Sequence, residues 1–342
     1  MVDKYFCMSS FLALRYIEKP DMFFKEGLNH NYHSPSNGEE PVTVYSAADI
    51  EKEFIRTMSP LEGEKIGLLL SGGMDSAIVA SFMPGKDAYT FRYEDGFQSG
   101  ELKRAQQYAN QYGLKLHYVD ITWSDFVQCT PHVIKTKGAP VHSIEPQIYK
   151  AALQAKQDGV TKLLVGESAD LLFGGMDKLL SKDWTVEEFK ERYTFVNPAK
   201  VLKNPVSMNY LFERYCKGNK FDTLAFMDNV FSIESSSSYY NAFKAANMPY
   251  FDPFAHLRMG DPLDLARVRR GESKYLIREL FAMRYPSLPV PEKIPMPRQV
   301  DKYFKDWSGP TRNEFVDALD MSSFTGEQKW LIYVLEWFLN TL

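Results

Sequence analysis

The chain is short of the residues that tie a fold together covalently or around a metal. It has three cysteines in 342 residues, Cys7, Cys129 and Cys216. An odd number at wide spacing excludes a disulfide framework and gives no zinc-ligand pattern. His30, His33, His132 and His142 show no metal-ligand spacing either. Long apolar runs are missing as well. None approaches the roughly 18 residues that a membrane span needs, and the start at Met1-Val2-Asp3-Lys4 leads into no secretory signal. A cytoplasmic setting away from membranes is the expectation. Excess positive charge is also lacking: 40 Lys and Arg stand against 44 Asp and Glu, a net charge of −4. That excludes a nucleic-acid binder working through a broad basic surface. No Gly-x-Ser-x-Gly elbow points to a serine hydrolase.

Aromatic residues are abundant, with 24 Phe and 20 Tyr. With 44% hydrophobic residues the chain can bury a large core. Between residues 61 and 180 apolar runs alternate with helical periodicity. Strands are predicted at 65–70, 87–93, 114–121 and 161–166. Helices are predicted at 75–83, 100–112, 124–136 and 146–157. Such alternation predicts an α/β fold with a doubly wound parallel sheet. Residues 1–60 read as a lead-in, with a loop at 29–41 and a helix from 47 to about 58. Ser46 caps that helix, with Ile50, Phe54 and Ile55 on one face. Residues 181–342 show helical spacing at 186–193, 209–217, 222–231, 235–246, 273–284 and 326–342, with no convincing strand. They predict a helical region completing the structure.

The chemistry is concentrated where the first predicted strand ends, in Ser71-Gly72-Gly73-Met74-Asp75-Ser76. Two glycines let backbone N–H groups approach an anion, and the following helix N-terminus adds donors and partial positive charge. Asp75 would repel phosphate, so its natural task is to hold Mg²⁺. A Gly-Gly turn that merely caps a helix is the plainer reading. The Gly-Lys-Ser/Thr ending of a Walker A loop is missing. The segment resembles the SGGxDS signature of the PP-loop ATP pyrophosphatases, of the adenine nucleotide alpha hydrolase-like fold. There the loop binds the phosphates that leave as pyrophosphate.

A second segment, residues 165–175, reads Val-Gly-Glu-Ser-Ala-Asp-Leu-Leu-Phe-Gly-Gly. It resembles the SGEGADEIFGGY segment of the asparagine synthetase family, within its synthetase domain. The resemblance extends over roughly residues 5–310. It includes 11–24, 101–117, Asn247–Asp252 beside a family RxPFLD, and Lys274–Arg278 beside KxxLR. It implies that Asp170 joins Asp75 on Mg²⁺, and that Glu167 faces the acceptor and handles the proton of an incoming amine. It implies nucleotide contacts at Leu70, Phe91 and Gly166 besides Ser71, Gly72, Gly73, Asp75 and Ser76. Lys274, read as one helical turn from Arg278, is the implied cation on the phosphates. Read without the family, Glu167 is a strand-end carboxylate and Lys274 part of a solvated basic face.

Departures from the family pattern are specific. Leu171 replaces an acid, Ser168 a glycine and Asn247 an arginine. Arg298 stands nearest to a further essential lysine, flanked by Lys293 and Lys302. Arginine keeps the charge and can fork onto two phosphate oxygens, but it does not readily exchange a proton near neutrality. Val2 stands where glutamine-dependent members have an N-terminal nucleophilic cysteine, and Cys7 cannot use that mechanism. The expected reaction is an AMP-forming amide ligation that uses ATP and Mg²⁺. It joins a small carboxylate to ammonia or an amine, with a separate glutaminase or other subunit as a possible ammonia source. Adenylation before thiolation, lactam closure, and a non-catalytic protein of the same fold stand as alternatives.

Overall fold

The computed structural model describes residues 1–33, 40–97, 99–292 and 299–342. Its frame grows from short central runs, Ile66–Leu69 and Lys162–Leu164, that are buried on both faces, the mark of a parallel sheet. In chain order the principal elements are α1 (Lys4–Leu14), α2 (Ala47–Met58), β1 (Ile66–Leu69), α3 (Met74–Ser81), β2 (Asp87–Tyr93) and α4 (Ser99–Tyr112). There follow β3 (Lys115–Ile121), α5 (Trp123–Lys137), α6 (Ile144–Gln157) and β4 (Lys162–Leu164). The last are α7 (Ser232–Ala245), β5 (Tyr250–Phe251), α8 (Tyr275–Arg284) and α9 (Gly326–Asn340). The five strands form one sheet in the order β3-β2-β1-β4-β5, parallel at every junction.

Side chains alternate across this sheet and feed two separate cores. Leu69, Tyr89, Val119 and Leu163 face one, which is covered by α1, α5, α6, α7 and α9. Ile66, Leu68, Leu70, Ala88 and Leu164 face the other, covered by α2, α3, α4 and α8. Helices on both faces make the fold doubly wound, as the alternation predicts.

Local signals set several helix starts. Ser46 and Asp49 form a capping box on α2, and Thr122 and Asp125 form another on α5. Ile50 and Phe54 of α2 are fully buried, but Ile55 is 53% exposed and stands off that face.

The last half of the chain is not purely helical. It supplies β5 at one end of the main sheet. It also supplies Leu257–Met259, paired in parallel with Val42–Val44, and a small hairpin of Cys216–Lys217 with Lys220–Phe221. These strands are two or three residues long, too short to show a period of two. The helix expected over 209–217 stops at Glu213, and Gly218 turns the hairpin with φ +62°. The helices expected at 222–231 and 235–246 join instead through a π-helical turn, Met227–Phe231.

Strand order reverses at one place. From β1 the chain moves outward to β2 and β3, then crosses back to β4 on the other side. The carboxyl ends of β1 and β4 therefore flank a crevice, the usual ligand position in an open parallel sheet.

Candidate active site

Two segments meet at that crevice. The loop after β1 runs through Ser71, Gly72 and Gly73 into α3. A hydroxyl cluster shapes it: Ser71 Oγ lies 2.9 Å from Ser76 Oγ, and the amides of Ser71 and Gly73 donate to Ser76 Oγ and Ser71 Oγ at 3.1 Å each. Gly73 offers α3 no side-chain cap. The first-turn N–H groups of α3 have no intrahelical partner, which suits them to an anion. Gly72 is required by contact, since a Cβ there would lie 2.7 Å from the Glu101 backbone. Arg104 ties the loop to α4 by donating from Nε to the Gly72 carbonyl at 2.8 Å.

The segment after β4 presses on this loop. A Cβ on Gly166 would lie 3.1 Å from the Asp75 carbonyl carbon. Together the segments border an open cleft lined by Leu70, Ser71, Gly72, Asp75, Ser76, Phe91, Gly166 and Glu167.

Lys274 brings the two acids of the segments together. Its Nζ lies 2.6 Å from Asp75 Oδ2 and 2.7 Å from Asp170 Oδ1, and the side chain is buried. Burial works against its charge, but Asp75 and Asp170 prevail and raise its pKa above the ordinary lysine value. The residue is not on the helix, contrary to the helical spacing. It caps α8 in the left-handed region, with φ +53°. Arg278 does not share its direction: its Nε donates to the Ser273 carbonyl at 2.7 Å. Gly175 makes the ion cluster possible, because a Cβ there would lie 2.1 Å from Asp170 Oδ1 and 2.8 Å from Lys274 Cδ.

Asp75 and Asp170 converge on one cation, so the spot they frame is cation-selective. Among the described residues no group of three or more His, Cys, Asp or Glu is placed to hold a metal. Two carboxylates fit Mg²⁺, which usually takes one or two carboxylates and completes its shell with substrate phosphates and water.

Glu167 stands at the cleft edge, partly exposed. The hydroxyl of Ser235, on α7, donates to its Oε1, and the Ser168 hydroxyl lies 3.4 Å from Oε2. Burial, reinforced by the Asp252 carboxylate, pushes Glu167 up to about 8. Asp252 accepts from the backbone amides of Ser168 at 2.7 Å and Phe254 at 2.9 Å. Its own carboxyl is pushed up to about 6 by burial, against those two amides.

The structure thus gathers Leu70, Ser71, Gly72, Asp75, Ser76, Phe91, Gly166 and Glu167 around one cleft, with Gly73 in the loop and Asp170 and Lys274 joined through Asp75. Arg298 and Lys293 lie outside the described residues. Lys302 is paired with Glu94 at 2.7 Å. Three residues of the site escaped the sequence reading: Glu101, Ser235 and Asp252. Asp252 ends one segment that matched the family pattern and Glu101 opens another, so both carried a signal. Ser235 carried none.

A five-stranded parallel sheet ordered 3-2-1-4-5, with a glycine-rich loop at its switch point, is consistent with the adenine nucleotide alpha hydrolase-like fold. A family model described as asparagine synthase matches residues 61–245, more than half of the chain. The chain belongs to the asparagine synthase family. Similar solved structures include an NMN synthetase from Francisella tularensis, at 13% identity over 73% of this chain and 100% of that one, with a TM-score of 0.30. Another is a U34-tRNA thiolase from Methanococcus maripaludis, at 14% identity over 80% of this chain and 90% of that one, with a TM-score of 0.26. No curated protein sequence matches the chain.

Proposed function

We propose that the chain is an AMP-forming carbon–nitrogen ligase. It adenylates a small carboxylic acid with ATP and passes the acyl group to ammonia or an amine. In the first step a carboxylate oxygen attacks the α-phosphorus, the bond from that phosphorus to the bridging oxygen breaks, and pyrophosphate leaves. In the second the nitrogen attacks the acyl carbon, the bond to the AMP oxygen breaks, and the nitrogen gives up a proton.

The observation that carries this reading is the convergence at one cleft of the 71–76 loop, Glu167 and Asp75, which joins the cleft to the Lys274–Asp170 ion cluster. The loop amides and the α3 N-terminus would hold the leaving phosphates. Asp75 and Asp170 would hold Mg²⁺, which supplies positive charge on those phosphates when bound. Lys274 is the chain's own cation at the same place, suited to charge that grows as pyrophosphate departs. Glu167 in its ionised form would accept the proton of the attacking nitrogen. Sulfur transfer is less favoured by the thiols. Cys7 and Cys129 are buried, which pushes them up to about 12 and about 11, and Cys216 is an isolated exposed cysteine.

The test is ATP–pyrophosphate exchange over a panel of carboxylic acids with Mg²⁺, followed by product analysis with ammonium, amines or glutamine. At least one acid should elicit exchange, and Asp75→Ala should abolish it. Intact ATP binding without exchange for any acid would overturn the ligase reading.

A further inference from the structure

One wall of the cleft holds a carboxyl group with an unmet hydrogen-bonding demand. Glu101 lies in the first turn of α4 and is 7% exposed. It lines the cleft with Leu70, Gly72 and Phe91. Its Oε2 is buried and has no hydrogen-bond partner among the described residues. Native structures keep few such groups, and each calls for a specific cause. Helix capping does not require this one, because an acid in a first turn serves the helix dipole equally well when solvated. Arg104, one turn along, gives its Nε–H to Gly72, and its Nη2, also buried without a hydrogen-bond partner among the described residues, does not reach the Glu101 carboxylate. Burial, opposed by Arg104, pushes the Glu101 carboxyl up to about 7. An arriving donor is what would let it keep its charge.

The chemistry of the donor can be narrowed. Phosphates bring only acceptors and would repel a carboxylate. The ribose of a nucleotide brings two neutral hydroxyl donors. In dinucleotide-binding sheets of the Rossmann type an acid after the second strand takes a ribose hydroxyl while the phosphates lie on the first loop. Glu101 has that placement: α4 follows β2, and its backbone packs against Gly72 of the loop. We infer that Glu101 is a nucleotide-binding residue that accepts hydrogen bonds from the ribose hydroxyls of ATP held at the 71–76 loop. The inference rests on the ATP reading above.

Calorimetric binding of ATP, 2′-deoxyATP and 3′-deoxyATP with Mg²⁺ tests it, together with melting of the nucleotide-free proteins. The wild type should bind ATP roughly 10- to 100-fold tighter than at least one deoxy analogue, the range for a hydrogen bond to a charged group. Glu101→Met should lose that margin through weaker ATP binding alone, with its Tm equal to or above the wild-type value. Glu101→Gln keeps an acceptor oxygen and should retain part of the margin. An equal loss for all three nucleotides, an undiminished preference in Glu101→Met, or no preference in the wild type would overturn the inference. If exchange activity persists alongside any of these results, the ligase reading survives. A wild type that binds no ATP would overturn both.

Discussion

Burial, reinforced by the Asp252 carboxylate, pushes the Glu167 carboxyl up to about 8. On the proposed reading Glu167 is the base and must be ionised to work, so amide formation should climb with pH and level off above about 8. The check is kcat/KM for the nitrogen substrate against pH, at saturating ATP. Ser235 donates a hydrogen bond that favours the carboxylate, so Ser235→Ala should move the limb to higher pH. An unmoved limb would assign the profile to another group. Glu167→Gln should slow amide formation by roughly 10²- to 10⁴-fold while leaving carboxylate-dependent exchange in place. Stability follows the same titration with the opposite sense. The folded value lies above the unfolded one of about 4.3, so the stabilisation from Glu167 is complete below that pH and is lost as pH rises through about 8. Denaturation of Glu167→Gln beside the wild type should therefore show the mutant gaining relative stability across this window.

Among the elements, β1 and β4 were legible as short apolar runs and β2 and β3 as stretches rich in aromatic and β-branched residues, and the Ser46 and Asp49 caps have a local pattern. β5 was not, for it is two residues long and takes its form from Leu163 and Leu164 beside it. The loop residues and Glu167 were legible as a motif. The contact of Ser235 with Glu167 was not, because it spans 68 residues and depends on how α7 docks. Nor does any local rule place a lysine in the left-handed region before α8. The turn after β5 shows how such remote contacts are secured. Phe254 is fully buried, with its ring 4.8 Å from Phe54 of α2. It sits two residues from Asp252 and donates an amide to it. Phe254→Ala should cost about 3–5 kcal/mol by cavity formation, read from denaturant unfolding. It should also lower amide formation, because Asp252 loses part of its support.

On the scale of the whole molecule, the two cores are closed by segments distant in sequence. Phe11, Leu12 and Leu14 of α1 are fully buried in the same core as α9. Lys4 reaches Glu314 at 2.8 Å, and Arg15 reaches Glu234 of α7 at 2.8 Å. Removal of residues 1–17 should leave a chain with exposed apolar surface and no cooperative transition, measured by dye binding and near-ultraviolet dichroism. A truncated chain that still melts cooperatively would show that α1 is dispensable. No helix among the described residues is long and apolar enough to cross a membrane.

The resting position of Lys274 bears on the order in which reactants arrive. Its ammonium stands between the two carboxylates that the proposed metal ion needs, 2.6 Å from one and 2.7 Å from the other. Two carboxylates that already share one internal cation attract a second one less strongly than a bare pair would. A divalent ion alone meets a pair whose charge one ammonium has already halved, whereas nucleotide phosphates give the ammonium somewhere else to go. Lys274 would then act as a placeholder, keeping Asp75 and Asp170 aligned for a metal that enters with its nucleotide rather than ahead of it.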